Sequence, residues 1–397
     1  MISVQEAKKI ISDTIPFGPI HECKLTEALG LGLAQEITAP INFPSSAQSA
    51  MDGFAIRFGD LLSHETFQVT EVIQAGQDVS HLSFVSGQAC RIFTGAALPA
   101  FFDTVIMQEH ATVNHATLSF QGEIVPGQHV RPIGSQTKQG DIVLPKGHVL
   151  TPASLSLLAS LGIEKIPVVQ KPIIQCIHTG NELIQVGKTL APGQVYESNS
   201  IALTSALQQM HLTTLAPKGV EDELNALQES IRLALEKADV ILLTGGVSVG
   251  DYDFVHQALS QLGVDILFHK IKQKPGKPLL FGQYKNKFIF GLPGNPGSVM
   301  TCFYQYVKPA LLQYLGHPQP FQTGIFLPLL AEYVKKPGLT HFVKAQVQLN
   351  GVMPLDHQES YKMNGFAHAN CLIEFSEEIT FSKKNDSVLV HCLNAFA

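Results

Sequence analysis

The sequence predicts a multidomain protein of α/β plus β class, and three features carry that reading. Between residues 171 and 317 short apolar runs alternate with helical periodicity, as expected for a sheet of parallel type covered by helices on both faces. Between residues 41 and 140 the runs are shorter, alternate in polarity and are punctuated by glycine and proline, the pattern of a small all-β module. After Gly316-His-Pro-Gln-Pro the helical signal stops and strand-like runs return up to residue 397. A chain of 397 residues also exceeds one ordinary core, so two to four domains are expected.

The first element is a helix over residues 3–15, with Val4, Ala7, Ile10 and Ile11 on one face and Ser3 as its N-cap. A second helix is expected from Leu25 to Gly30. Within the β module, strands are expected at Phe67–Ile73, Ala89–Phe93, Thr104–Met107 and Ala116–Phe120. Thr151-Pro-Ala-Ser begins another helix, with proline suited to its first turn, running to Leu161. Residues 1–40 and 141–170 therefore read as one helical linker domain interrupted by the β module at 41–140.

The α/β stretch over 171–317 then gives strands at Pro172–Ile177, Val240–Thr244 and Lys287–Phe290. Helices are expected at Ile201–Met210, Glu223–Lys237, Asp253–Leu262 and Ser298–Leu315. In Glu223–Lys237 the residues Leu224, Leu227, Ile231 and Leu235 fall at three-to-four spacing. Residues 318–397 form a last β domain with strands at Phe342–Leu349, Ala369–Phe375 and Val388–Val390.

Composition narrows the function classes. A formal net charge of −6 argues against a general nucleic-acid or membrane-surface binder, so an anionic substrate needs a local cluster of bases. The six cysteines are scattered without a CxxC pair, which supports neither a disulfide framework nor a zinc site and predicts buried, reduced thiols. No apolar run of signal-peptide or membrane-span length is present, so a cytoplasmic protein is expected.

Three loops combine into a candidate anion site. Gly245-Gly246-Val-Ser248-Val-Gly250-Asp-Tyr-Asp253 follows an apolar strand and precedes a helix, where backbone N–H groups and the helix terminus can receive an anion. Lys270-Ile-Lys-Gln-Lys274-Pro-Gly-Lys277-Pro places four cations in eight residues, and its prolines forbid a helix, so the ammonium groups are held on a stiff loop. Gly291-Leu-Pro293-Gly-Asn-Pro296-Gly-Ser298 forms a fixed turn before a helix that Ser298 can cap. Taken alone, each of these also reads as a plain turn or a solvated loop. Glu182, in His178-Thr-Gly-Asn-Glu182-Leu, is by spacing either a metal ligand or a helix-start acid. Ser49-Ala-Met-Asp52-Gly-Phe-Ala and Phe93-Thr94-Gly-Ala-Ala-Leu-Pro are weak turn signals by themselves.

Read in order, SAMDGFA, TGAALP, HTGNEL, GGVSVGDYDF, KPGKP and GLPGNPGS resemble the motif series of the molybdopterin molybdenumtransferase family, which is related to the C-terminal region of gephyrin. The resemblance spans essentially the whole chain. It implies a helical linker domain, an inserted β domain, a central molybdopterin-binding α/β domain and a C-terminal β-barrel-like domain. It further implies a cytoplasmic homodimer that inserts molybdate into adenylylated molybdopterin with release of AMP and with Mg²⁺ as cofactor. The adenylyltransferase that makes the adenylylated substrate and the recipient molybdoenzymes are its implied partners.

By resemblance Asp52, Thr94, Glu182, Asp222, Asp253, Lys270 and Lys274 are positions needed for activity. Glu182, Asp222 and Asp253 are the implied Mg²⁺ ligands. Gly245, Gly246, Ser248, Gly250, Lys277, Pro293, Pro296, Lys344 and Ser360 are the implied substrate contacts. Asp52 and Thr94, in a separate module, would complete the site across a dimer interface.

The chain departs from the family pattern at Gln136 and Asn181, where carboxylates are usual, and at Lys344, where arginine is usual. An alternative is therefore a divergent non-catalytic carrier or scaffold that binds molybdopterin. The related adenylyltransferase usually lacks both the MDG-bearing module and the last β domain. A nucleotide-sugar or NAD enzyme is disfavoured because no GxGxxG follows the first α/β strand.

Overall fold

A computed structural model describes residues 1–246, 254–321 and 324–393. The chain divides into two compact units: Met1–Ala34 with Gly147–Thr151 and Pro167–Ala397, and Gln35–Lys146 with Pro152–Ile166. The second unit is thus inserted into the first along the sequence.

In the larger unit the chain opens with the helix Val4–Thr14, which buries Val4, Ala7 and Ile11. Its start is the reciprocal Ser3–Glu6 capping box, which satisfies two N-terminal N–H groups. The helix expected at Leu25–Gly30 is only a 3₁₀ turn over Leu25–Glu27. Six residues leave too few internal hydrogen bonds to offset the entropy of nucleation.

The central sheet runs Lys218–Val220, Ile174–Thr179, Val240–Thr244, Lys287–Leu292, Leu280–Tyr284, Asp265–His269. The first four strands are parallel, and the last two are joined antiparallel, so the expected parallel-type sheet is in fact mixed. The cause is local. Tyr284 pairs with Lys287 across a two-residue turn in which Lys285 takes φ +55°, and a hairpin that tight can only join antiparallel neighbours. Helix Leu224–Lys237 buries Leu227, Ile231, Ala234 and Leu235 against Ile177, Ile241, Leu243 and Ile289 of the sheet.

Residues 324–393 build a second sheet in which Thr340–Gln348 pairs with Cys371–Phe375, that strand with Ser387–Cys392, and that in turn with Gly324–Pro328. Gly351–Pro354 folds back onto Thr340–Gln348, and a bridge between Leu329 and Val352 returns the last edge to it, so the pairing nearly closes on itself. Leu329, Val343, Ala345, Ile373, Phe375 and Val390 fill the interior. The short strand Gln273–Lys274 adds in parallel to the start of Thr340–Gln348. That pairing stitches the lysine loop of the α/β sheet onto the C-terminal sheet.

The inserted unit carries a six-stranded sheet in the order Thr104–Met107, Gly53–Ile56, Gln88–Ile92, Phe67–Ile73, Thr117–Phe120, Ala111–Asn114. Residues of the expected linker contribute a ladder here too, Ile37–Thr38 with Ile142–Leu144, beside the helix Pro152–Ser160. All six cysteines are free and five are buried, and burial pushes the thiols of Cys90, Cys176 and Cys371 up to about 12. Among the described residues no helix is long and apolar enough to cross a membrane.

Candidate active site

Strand register determines which loops meet. Thr179 pairs with Val220, His178 with Thr244, and Thr244 with Leu292, so the parallel strands end level at one edge of the sheet. The antiparallel pairs His269–Leu280 and Leu280–Gly291 bring the end of Asp265–His269 to that same edge. The segments after Thr179, Val220, Thr244, His269 and Leu292 therefore emerge together, where an open α/β sheet forms its ligand crevice.

A cavity of about 870 Å³ lies there. Glu182, Asp222, Gly245, Gly246, Lys274, Lys277, Pro293, Pro296 and Ser360 all line it. Ser248, Gly250 and Asp253 lie outside the described residues.

The glycine turn is dictated by close approach. Gly245 and Gly246 take φ +85° and +63°. A Cβ on Gly245 would stand 2.2 Å from the carbonyl oxygen of Thr179 on the neighbouring strand. Next to it, Thr179 Oγ1 donates to Asp222 Oδ1 at 3.1 Å, and the Asp222 N–H donates to Asn181 Oδ1 at 3.1 Å. Asn181 thus supplies the acceptor that orients Asp222, since an amide oxygen accepts an N–H as a carboxylate does. Glu182 and Asp222 form no ion pair among the described residues, and both line the crevice.

The basic loop divides its lysines. Lys274 and Lys277 are exposed and line the cavity. Lys270 does not line it. Its backbone bonds to Ile2 and Leu279, and its φ of +76° marks the turn that leaves the strand. Lys272 pairs with Glu377 at 3.5 Å. Turns at Lys270 (φ +76°) and Gly276 (φ +88°) break the extended path of the loop, so four cations within eight residues do not make one cluster.

Helix Pro296–Cys302 starts two residues before the expected Ser298, because proline suits the first helical turn. Asn295 occupies its cap position, but its side chain donates to Ser360 Oγ at 2.9 Å, while Gly297 N–H donates to the Ser360 carbonyl at 2.8 Å. These two bonds dock the Ser360 loop on the helix start.

Lys344 is the clearest departure from expectation. It is 2 % exposed and is absent from the cavity wall. Its ammonium donates instead to the carbonyls of His357, Glu359 and Lys362 at 2.5, 3.2 and 3.2 Å. On the strand Thr340–Gln348 its side chain points into protein, and an isolated buried ammonium is tolerated only where acceptors surround it. Tyr361, Gln358, Tyr196 and Asn199 also line the cavity and were not singled out from the sequence. They come from segments of unremarkable composition, and only the fold brings them to the crevice.

Asp52 and Thr94 belong to the inserted unit and are joined to each other. Asp52 Oδ1 accepts both the backbone N–H of Thr94 at 2.7 Å and its hydroxyl at 2.8 Å. Gly53 follows in the strand Gly53–Ile56, and a Cβ there would fall 1.9 Å from the Ile106 carbonyl oxygen. The two Thr94 bonds, backbone first, hold the Asp52 carboxyl below the usual aspartate range, with Arg91 adding to the effect. A depressed carboxylate pKa favours the fold above the ordinary value, and that contribution fades as pH falls through the folded-state pKa. Thr94→Val removes one of the two donors, so the Asp52 midpoint is expected to move upward in a carbon-detected NMR titration. An unchanged midpoint would mean that the hydroxyl bond does not form in solution. Gln136 of the same unit is tied through its backbone N–H to Phe43.

Residues 2–162 match the family described as the MoeA N-terminal region (domain I and II), and residues 176–313 match that described as a probable molybdopterin binding domain. A molybdopterin molybdenumtransferase of Haemophilus influenzae is 34% identical over 402 residues, covering 99% of each chain. One from Staphylococcus aureus (strain COL) is 31% identical over 381 residues, covering 94% of this chain and 91% of its own. The crystal structure of the molybdopterin biosynthesis MoeA protein of Pyrococcus horikoshii OT3 superposes with a TM-score of 0.83 at 26% identity, over 98% of this chain and 99% of that one.

Proposed function

The chain belongs to the molybdopterin molybdenumtransferase family, enzymes of molybdenum cofactor biosynthesis, and we propose that its crevice performs the insertion step on adenylylated molybdopterin with release of AMP. The observation that carries this assignment to the crevice is the meeting of a glycine turn, two carboxylates and two exposed lysines at one strand edge.

The residues divide the work. The turn at Gly245–Gly246, held tightly against Thr179 because neither residue carries a Cβ, offers its backbone to the phosphates. Lys274 and Lys277 attract and hold the oxyanions as point charges. Bringing two anions together is the chief electrostatic barrier to insertion, and fixed cations lower it without reorganising during the reaction.

Glu182 and Asp222 fit a hard divalent cation, because both offer carboxylate oxygens with no basic partner among the described residues. Mg²⁺ keeps several waters and is held by one or two carboxylates, so this pair is enough to anchor it. Bound there, Mg²⁺ would neutralise the diphosphate of the substrate. Asp253, Ser248 and Gly250 are proposed to complete the ligand and phosphate contacts.

A cytoplasmic homodimer of four-domain protomers is part of the same proposal, and its mass in solution tests the dimer. The adenylyltransferase that supplies the substrate and the molybdoenzymes that receive the product are proposed to meet it transiently.

Molybdate-dependent AMP release by the purified protein with Mg²⁺ tests the reaction. Release is expected in the wild type and, within about threefold, in Asn181→Asp, since either side chain accepts the Asp222 N–H and one such bond contributes only roughly 1 kcal/mol. Tight binding of the substrate without release under any condition would establish a carrier instead.

A further inference from the structure

We propose that Lys344 acts as a positioning residue, clamping the loop Leu355–Lys362 so that Ser360 faces the crevice. The proposal rests on the reading above and extends it by giving Ser360, an implied substrate contact on the crevice wall, the role of a hydroxyl donor to the molybdate oxyanion.

The clamp has two layers. The Lys344 ammonium gathers the carbonyls of His357, Glu359 and Lys362, which closes the loop around one buried charge. The Lys344 backbone does the same through Gln358: its N–H donates to Gln358 Oε1 at 3.0 Å, and the Gln358 amide returns bonds to the carbonyls of Lys344 at 2.8 Å and Leu355 at 2.7 Å. The Leu355 N–H donates in turn to the Lys344 carbonyl at 2.9 Å.

A loop drawn inward at 357, 359 and 362 leaves residues 360 and 361 as its outward crest, and these two line the cavity. Asn295 and Gly297 then fix the crest from the other side by holding both the hydroxyl and the carbonyl of Ser360. Ser360 is thus held between a helix start and a buried cation. The cation itself is walled off, with Phe366 beneath it at 5.7 Å.

The cage is sized for an ammonium. A Cβ on Gly365 would lie 3.0 Å from Lys344 Nζ and 3.1 Å from its Cε, so Gly365 already makes room for the side chain. A planar guanidinium needs more space and offers its donors in a fixed fork, which three converging carbonyls do not match. At this position arginine is therefore the wrong replacement in this chain.

The test measures the molybdate and adenylylated-molybdopterin dependence of AMP release in the wild type, Lys344→Met, Lys344→Arg, Ser360→Ala and the double variant Lys344→Met/Ser360→Ala. Thermal unfolding of each is recorded beside it. If Lys344 acts through Ser360, Lys344→Met raises the molybdate KM about tenfold or more and leaves the KM for adenylylated molybdopterin within about twofold, as for loss of one charge-assisted contact. The double variant then stays within about threefold of Ser360→Ala, because both changes remove the same interaction. Lys344→Arg does not restore the wild-type KM.

Multiplicative effects in the double variant, or full restoration by arginine, would mean that Lys344 reaches the oxyanion itself and would overturn the proposal. Equal changes in both KM values would reduce its role to general stability and overturn it as well. If Ser360→Ala alone leaves the molybdate KM unchanged, the reading of Ser360 fails first. In that case a persisting effect of Lys344→Met would count against the clamp as a route to Ser360.

Discussion

Gly245→Ala is expected to abolish molybdate-dependent AMP release, with a fall in kcat/KM of about a hundredfold or more. The residue sits at φ +85°, where an L side chain costs roughly 1–2 kcal/mol, and its added methyl would lie 2.2 Å from the Thr179 carbonyl oxygen. Neither group can yield cheaply. Thr179 is the last residue of a buried strand paired with Val220, and Thr244 precedes the glycine on the adjacent strand. Relief must come from displacing the turn, which carries both the phosphate-facing backbone and the contacts around Asp222. A further 2 kcal/mol of displacement would bring the total to about three decades in rate at most. Activity assays with a melting curve decide the matter: wild-type kcat/KM in the alanine variant would show that the turn is not used.

The double variant Lys274→Ala/Lys277→Ala is expected to lose at least as much activity while folding normally. Both side chains are exposed, neither forms an ion pair among the described residues, and both line the crevice. Exposed lysines without partners contribute little to stability, so their removal should leave the melting temperature within a few degrees. Their value lies in the bound state, where each charge-assisted contact to an anion contributes roughly 1.5–3 kcal/mol. Two of them therefore account for about two to four decades in kcat/KM. The wild-type rate should also fall with added salt more steeply than that of the double variant. Equal salt dependence in the two proteins, with similar rates, would remove the lysines from the site.

Much of the fold was legible because local rules and tertiary structure agree. The Ser3–Glu6 box, the Leu227–Ile231–Leu235 stripe and the apolar run Val240–Thr244 each specify their element through nearest neighbours alone. Expectation failed where the deciding contact was nonlocal or the segment was short. Leu280–Tyr284 was missed as a strand, since its apolar start and polar end form no clean alternation. The two antiparallel strands at the end of the sheet, Leu280–Tyr284 and Asp265–His269, are therefore absent from the sequence reading.

The site follows the same division. The motifs identify Gly245, Lys274, Lys277, Pro293 and Pro296, the family resemblance adds Ser360, and the fold gathers all six around one cavity. Lys270 joins them through the lysine-rich loop and Lys344 through its place in the family pattern, yet neither signal carries a side-chain direction. Lys270 sits at a turn and does not line the cavity, and Lys344 is buried with its ammonium on the carbonyls of His357, Glu359 and Lys362.

The sequence by itself determined the family, the inserted arrangement of the β unit and the chemistry offered by each loop, because these depend on residue identity and order. Only the tertiary structure decided which of those loops share an edge and which cations reach solvent. Strand register and side-chain orientation are set by hydrogen-bond pairing between residues far apart in the chain, as Ile174 with Val240 and Val240 with Phe288, and no short window of sequence contains them.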